Sequence, residues 1–155
     1  MMLHRLENLL IAIWIGAMVG VGYIAAPVLF AVLDDRTLAG MLAGKMFYIV
    51  GVIGLISGGL LLILRFKQES TAFFLHWRGW LLCLMLLFVG IIFFVLQPMI
   101  VDLKALGITE GSAEARKFGL LHGISSVLYL LTTISGATLI FMGMSRKDSK
   151  TDHLK

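Results

Sequence analysis

Charged residues are absent from four long blocks of this chain. Residues 8–33, 46–64, 79–101 and 118–145 contain no Asp, Glu, Lys or Arg. The hydrocarbon core of a bilayer is about 30 Å thick, and a helix of about 20 apolar residues crosses it. Because lipid offers the backbone no hydrogen-bond partners, such long spans must be helical. The pattern predicts an all-α, polytopic membrane protein with a bundle of four transmembrane helices.

The span boundaries follow from the first polar residues on each side. They predict spans at about residues 8–33, 41–65, 77–101 and 115–144, within a membrane domain of residues 1–145. Residues 146–155 form a polar tail. The composition is 59% hydrophobic, against about 45–50% in soluble domains. The first apolar run is too long for a secretory signal, whose core is about 7–15 residues.

Lys and Arg are unevenly distributed between the two ends of the predicted bundle. If the N-terminus is cytoplasmic, eight of the 13 Lys and Arg residues lie inside and five lie outside. Because cytoplasmic loops carry an excess of these residues, both termini are predicted to be cytoplasmic. The expected location is the inner membrane of the cell.

The two halves of the chain share a spacing. Pro27 precedes Phe47 by 20 positions, as Pro98 precedes Phe118. Two interpretations remain open at this point. The chain consists of two parallel helical hairpins related by duplication, or hairpins of similar length coincide by chance.

Small residues recur at a spacing of four in spans one, two and four, which lets helix backbones approach closely. These residues build either the monomer bundle or an oligomer. We expect Gly20 and Gly54 to lie at helix contacts. Span three is rich in Leu and Phe, so it is predicted to face lipid or another subunit.

Span four carries a polar stripe. His122, Ser125, Tyr129, Thr132 and Gly136 follow each other at spacings of three and four, so they share one helix face. Ser and Thr in membrane helices often bond to a carbonyl four residues earlier. An ionisable side chain within a span indicates function by default, and His122 is therefore a candidate binding residue.

The unusual residues concentrate towards the external side. Kinks at Pro27 and Pro98 would open a cavity there, with cationic walls. The alternative is ordinary interfacial ion pairing and snorkelling. The predicted ligand-binding residues are Pro27, Lys45, Gln97, Arg116, His122 and Ser125.

No cofactor, metal site or catalytic residue is predicted. His4 and His76 could share a metal or a haem iron if spans one and three meet, but no Cys-x-x-Cys-His motif and no clustered Met or His accompanies them. Phosphate-binding loops, His-Glu-x-x-His and paired carboxylates within a span are also missing. The single Cys83 lies within a span. The chain is therefore predicted not to be an enzyme.

Several short motifs stand out along the chain: Trp14-x-Gly16, Ala26-Pro27-Val28-Leu29-Phe30, Asp35-Arg36, Ala39-Gly40, Phe47, Leu96-Gln97-Pro98 and Phe118-x-x-Leu121-His122-Gly123-x-Ser125. They resemble a bacterial family of small four-span proteins of unknown function, which is similar to eukaryotic transmembrane protein 205. The resemblance covers about residues 8–142. It implies no established activity, although the eukaryotic relatives are associated with resistance to platinum drugs. A more distant likeness is to membrane proteins of copper resistance.

The sequence thus predicts a non-enzymatic integral membrane protein that binds or passes a small ligand at the external side of the bundle. One alternative is an accessory or assembly subunit of a larger membrane complex, docking through span three. Another is a haem- or copper-binding membrane protein. The predicted partners are the lipid bilayer and a homo-oligomer or larger complex; no nucleic acid is expected.

Overall fold

The computed structural model describes residues 2–69, 77–109 and 111–148, and these residues are almost entirely helical. The first half contains α1 (Met2–Val19), a π-helical turn π1 (Gly20–Ala25), α2 (Ala26–Val32) and the long α3 (Arg36–Glu69). The second half contains α4 (Trp77–Ile91), π2 (Ile92–Leu96), α5 (Gln97–Ala105) and α6 (Ala113–Asp148). Polar tail residues 149–155 lie outside the described residues.

Four helical segments are long and apolar enough to cross a membrane, which confirms the predicted all-α bundle. They are Arg5–Val32, Arg36–Lys67, Trp77–Ala105 and Ala113–Met142. The helix that carries the second span begins at Arg36, because Asp35 caps it there. The helix of the third span continues to Ala105, so Asp102 and Lys104 belong to its last turns. The predicted span bounds in the bilayer stay a prediction.

Both prolines follow a widened helical turn. The N–H of Ala26 donates to the carbonyl of Val21, and the N–H of Gln97 donates to that of Ile92, five residues back in each case. The next residue is Pro27 or Pro98. A proline has no N–H and its ring clashes with the carbonyl four residues earlier. The wider turn accommodates this clash within a continuous span.

The four spans form a ring in which each packs against two neighbours. α1 contacts α3 and α6, and α4 contacts the same two helices. The centre of the bundle is occupied by side chains that are almost completely buried: Trp14, Met18, Met85 and Thr132. A second, smaller apolar cluster lies between α5 and α6, around Leu96, Ile100, Leu103 and Leu121.

The structure supports the two-hairpin interpretation. Adding 71 to a residue number in the first hairpin gives its counterpart in the second, as for Pro27 and Pro98. The two widened turns correspond under this rule, and so do five pairs of buried positions. These pairs are Ile11 and Leu82, Trp14 and Met85, Met18 and Val89, Val50 and Leu121, and Leu61 and Thr132.

The two glycines expected at helix contacts differ. A Cβ on Gly54 would lie 2.6 Å from Nε1 of Trp14, so α3 and α1 approach closely there. A Cβ on Gly20 would meet no other group within 4 Å. The expectation is confirmed for Gly54 and wrong for Gly20.

The most exposed span is the fourth and not the third. In the apolar window of α6, 17% of residues are buried, against 28% in each of the other three spans. Span three places Gly79, Leu82, Met85 and Val89 in the interior. Five Ser and Thr hydroxyls of α6 donate to carbonyls four residues earlier in the same helix, namely those of Ser125, Ser126, Thr132, Thr133 and Thr138.

Candidate functional site

One end of the bundle carries the short turn at residues 33–35 and the loop at residues 106–112; we refer to it as the turn end. Asp35 Oδ1 accepts from the backbone N–H groups of Thr37, at 2.8 Å, and Leu38, at 3.1 Å. Ser112 Oγ likewise accepts from the backbone N–H of Ala115, at 3.0 Å, at the start of span four. These caps satisfy the free donors at the starts of α3 and α6.

Two glycines shape the longer loop. Gly107 and Gly111 have φ values of 78° and 80°, in the left-handed region that side chains with a Cβ rarely adopt. Gly107 follows the end of α5 and Gly111 precedes the cap of α6. The loop therefore reverses the chain and brings the last turn of α5 beside the first turns of α6.

Lys104 connects the two hairpins at the turn end. Its Nζ donates to the carbonyl of Gly40 at 3.2 Å, and the same atom lies 5.6 Å from the centre of the Phe118 ring. Gly40 also lies against Phe30 of α2. An ammonium group over an aromatic face is stabilised electrostatically by about 0.5–1 kcal/mol at an exposed site.

His122 extends this arrangement along α6. Its imidazole stacks on Phe118, with ring centres 5.8 Å apart and planes 10° from parallel. The side chain is exposed, and among the described residues neither ring nitrogen has a hydrogen-bond partner. An ammonium, an aromatic ring and an open imidazole therefore lie together at the turn end; we call Lys104, Phe118 and His122 the turn-end cluster.

Sequence reasoning missed Lys104 as a functional candidate and chose Lys45. The signal was present, since Lys104 stands in the last turn before a glycine loop and Phe118 follows that loop. Hydropathy alone does not show which lysine folds back over a ring and which extends outwards. Lys45 is exposed on α3.

The structure distributes the six predicted site residues along the turn-end half of the bundle. Pro27, Lys45, Arg116 and His122 are exposed, whereas Gln97 and Ser125 are half-buried. Ser125 Oγ donates to the carbonyl of Leu121 at 2.9 Å, and Arg116 Nη1 donates to that of Gly111 at 3.5 Å. No hydrogen bond, ion pair or ring contact joins two of the six within the described ranges. The six-residue ligand set stays a prediction.

Aromatic rings contact each other between the helices beneath the turn end. Phe47 packs edge-on against Tyr129 with ring centres 5.4 Å apart, and Tyr23 lies 6.2 Å from Tyr129. On the other side of α3, Tyr48 lies 5.0 Å from Phe93. Lys104 and His122 are both exposed, so the turn-end cluster is accessible from outside the bundle.

Two shallow apolar grooves follow the outer face of α6. The first, of about 350 Å³, is lined by Gly119, Leu120, Gly123, Ile124, Val127 and Leu128. The second, of about 470 Å³, lies further along, at Ile134, Ala137, Thr138, Phe141 and Met142. A Cβ on Gly119 or Gly123 would meet nothing within 4 Å. This spacing of four therefore lies on a face that the monomer leaves open.

The opposite end of the bundle is tied by two arginines. Arg65 Nη2 lies 3.4 Å from Oε2 of the buried Glu7, joining α3 to α1. Arg78 Nη2 donates to the carbonyl of Met142 at 2.8 Å, joining α4 to α6. His76, of the hypothetical metal pair, and the side chain of His4 lie outside the described residues. Within the described part of the chain, no three His, Cys, Asp or Glu side chains gather as metal ligands would.

The fold and the turn end together define a class of protein: a small integral membrane protein with four helical spans, built from two similar hairpins. The family model described as Domain of unknown function (DUF4149) matches residues 9–109, and the chain belongs to this family. The matched range ends before α6, so Phe118 and His122 lie beyond it. No curated protein matches the chain. No solved structure matches it either.

Proposed function

We propose that this protein is a non-enzymatic membrane protein that binds or passes a small polar or anionic ligand at its turn end. The observation that carries the proposal is the turn-end cluster. Lys104 supplies a cation held near Phe118, and His122 supplies an imidazole whose nitrogens have no partner in the described structure. An ionisable side chain in a span is costly unless it has a role.

We place the turn end on the external side of the inner membrane, with both termini in the cytoplasm. The eight-to-five distribution of Lys and Arg supports this orientation. It puts Lys104 and His122 near the external headgroup layer, where a ligand with a phosphate or carboxylate group can reach them. The motif likeness to transmembrane protein 205 gives this proposal a family context but no activity.

The experiment is a titration of the imidazole signals of His122 by NMR, with the purified protein in nanodiscs. The probes are inorganic phosphate and glycerol 3-phosphate, because both present the anionic group of a lipid headgroup without its chains. We expect a saturable shift, with at least a tenfold weaker apparent affinity in Lys104→Gln. Lys67→Gln is the matched control, since Lys67 is exposed near the opposite end of α3.

Saturable shifts that are identical in Lys104→Gln and the wild type would show that the cluster does not form the site. Shifts that rise linearly with either probe, without saturation, would overturn binding of headgroup-like anions. A response to glycerol 3-phosphate but not to phosphate would identify the glycerol portion as part of the recognised ligand.

A second candidate function, an accessory subunit or a homo-oligomer, is favoured by the outer face of α6. Its two grooves and the open pair Gly119 and Gly123 offer the close approach that helix partners in membranes use. The proposed docking helix is therefore span four, and not span three as the sequence predicted. Counting subunits by single-molecule photobleaching in native-lipid discs tests self-association. Gly119→Leu should reduce the count, whereas Gly16→Leu on exposed α1 should not.

A further inference from the structure

The hydroxyl of Tyr129 hydrogen-bonds to the backbone of the first span, just before its widened turn. Tyr129 belongs to α6, yet its Oη donates to the carbonyl of Met18 in α1 at 2.7 Å. In a regular α-helix that carbonyl accepts from the N–H of Gly22, four residues on. Gly22 lies beside the same hydroxyl, since a Cβ built on Gly22 would be 3.0 Å from Oη of Tyr129. The hydroxyl is thus adjacent to both residues of this backbone pair.

The surrounding residues admit the ring and hold it. A Cβ on Gly22 would lie 2.5 Å from Cε1 of Tyr129, so only glycine leaves room for the ring at this position. Phe47 of α3 packs edge-on against the ring, and Tyr23 of π1 lies on another side. The insertion coincides with the start of π1 at Gly20. Groups inserted into the helical ladder are an established cause of local bending.

The second hairpin provides an internal comparison. The counterpart of Tyr129, 71 positions earlier, is Gly58, and the counterpart of Gly22 is Phe93. At π2 the aromatic residue is Phe93, which is part of the widened turn itself. Its ring packs on Gly51 of α3. Phe93 has no hydroxyl. Of the two widened turns, only π1 is held by a hydroxyl group from another span among the described residues.

We propose that the hydrogen bond from the Tyr129 hydroxyl to Met18 fixes the direction of α2 relative to α1. We call this hydrogen bond the catch. With the hydroxyl in place, the carbonyl of Met18 is bound to α6 and π1 stays at Gly20–Ala25. Without it, the widened turn closes or moves along the helix, and α2 changes direction. One residue corresponds to about 100° of helical rotation. A shift of the widened turn by one residue would therefore rotate every side chain of α2 about the helix axis.

The catch has a consequence for the turn-end cluster, and this step rests on the proposed function. Phe30 of α2 lies against Gly40, whose carbonyl accepts from Lys104. A change in the direction of α2 withdraws Phe30 from Gly40 and frees Lys104. Because Tyr129 and His122 share α6, a displacement of α6 by a ligand or a partner helix would act on both. The geometry therefore connects the middle of the bundle with its turn end.

The test is a distance measurement by pulsed electron paramagnetic resonance across the hinge. Spin labels are placed at Leu9 in α1 and Val32 in α2, which are 56% and 72% exposed, after Cys83→Ala removes the free thiol. Helix geometry puts the two positions about 35 Å apart. We expect one narrow distance in the labelled parent. In Tyr129→Phe we expect a second distance, whose population relative to the first is about ten times that in the parent. The loss of one hydrogen bond would produce a change of this size.

Two further variants make the result specific. Gly22→Ala keeps the hydroxyl but displaces the ring, so it should produce the same second distance as Tyr129→Phe. Tyr48→Phe is the matched control, because Tyr48 packs on Phe93 beside the other widened turn; it should resemble the parent. A Tyr129→Phe sample with unchanged helical circular dichroism and a distance distribution identical to the parent's would overturn the catch.

The outcome is separable from that of the proposed function. The distance measurement needs no ligand, so absence of phosphate binding leaves it intact. The remaining outcome is that Tyr129→Phe shows the second distance but binds glycerol 3-phosphate with the same affinity as the parent. The catch then stands, and its coupling to the turn-end cluster is refuted.

Discussion

Replacing Gly54 by Ala tests the closest helix contact in the bundle. The Trp14 indole is completely buried between α1 and α3. A Cβ at position 54 would lie 2.6 Å from its Nε1, and a Cβ at position 58 would lie 2.9 Å from its Cζ3. The ring thus packs against α3 at two positions that are about one helical turn apart, Gly54 and Gly58. It has no exposed edge towards which it could tilt, so the helices must separate.

The magnitude follows from two opposing effects. Overpacking a tight interior typically costs about 1–3 kcal/mol, and replacing a helical Gly by Ala returns up to about 1 kcal/mol. We expect Gly54→Ala to be less stable by about 1–2 kcal/mol. For chains of this length that corresponds to a fall in melting temperature of about 2–8 °C.

Gly20→Ala is the matched control, because its new methyl group meets nothing within 4 Å. It gains only the helical preference, so its melting temperature should stay the same or rise slightly. The assay is thermal unfolding in detergent, followed by intrinsic fluorescence and by circular dichroism. Equal melting temperatures for the two variants would refute the packing argument, since only the contact with Trp14 distinguishes them.

Three further predictions concern the ends of the bundle. Glu7→Gln should lower the thermal stability by about 1–3 kcal/mol, because it leaves the guanidinium of Arg65 without its carboxylate; a melt equal to that of Arg5→Gln, at an exposed position, would contradict this. Asp35→Ala should cost about 0.5–2 kcal/mol through loss of the α3 cap, and the neighbouring Asp34→Ala should cost clearly less in the same melting assay. Reporter fusions at the C-terminus should give a cytoplasmic signal, and a periplasmic signal would reverse the proposed orientation.

The sequence predicts the spans well because their cause is local. A stretch without charge must be helical in lipid whatever its neighbours are. The caps are local too, so Ser112 could be predicted from its position before an apolar run. The correspondence of Pro27 and Pro98 was visible as a spacing, but the buried register that supports it needed the packed helices.

The contacts of the candidate site could not be predicted in the same way. Lys104 and Gly40 are distant in sequence, and no periodicity relates them. In the sequence Tyr129 is one member of a polar stripe. In the structure its hydroxyl donates to a carbonyl of α1 and not to one of α6. Glycine spacing likewise does not distinguish Gly54, which faces Trp14, from Gly119, which faces outwards. These assignments depend on which helix lies opposite, and that is a property of the whole bundle.

The similarity of the two hairpins also bears on how the protein is made. Each half contains one span with a widened turn and one continuous α-helix, so each half emerges from synthesis as a similar pair of membrane helices. Association of preformed helices within the bilayer is then a separate stage. A chain divided between residues 69 and 77 would yield two polypeptides whose complementary faces already exist. Co-expression of these halves should rebuild the four-helix ring, with the peptide connection serving only to keep the partners together.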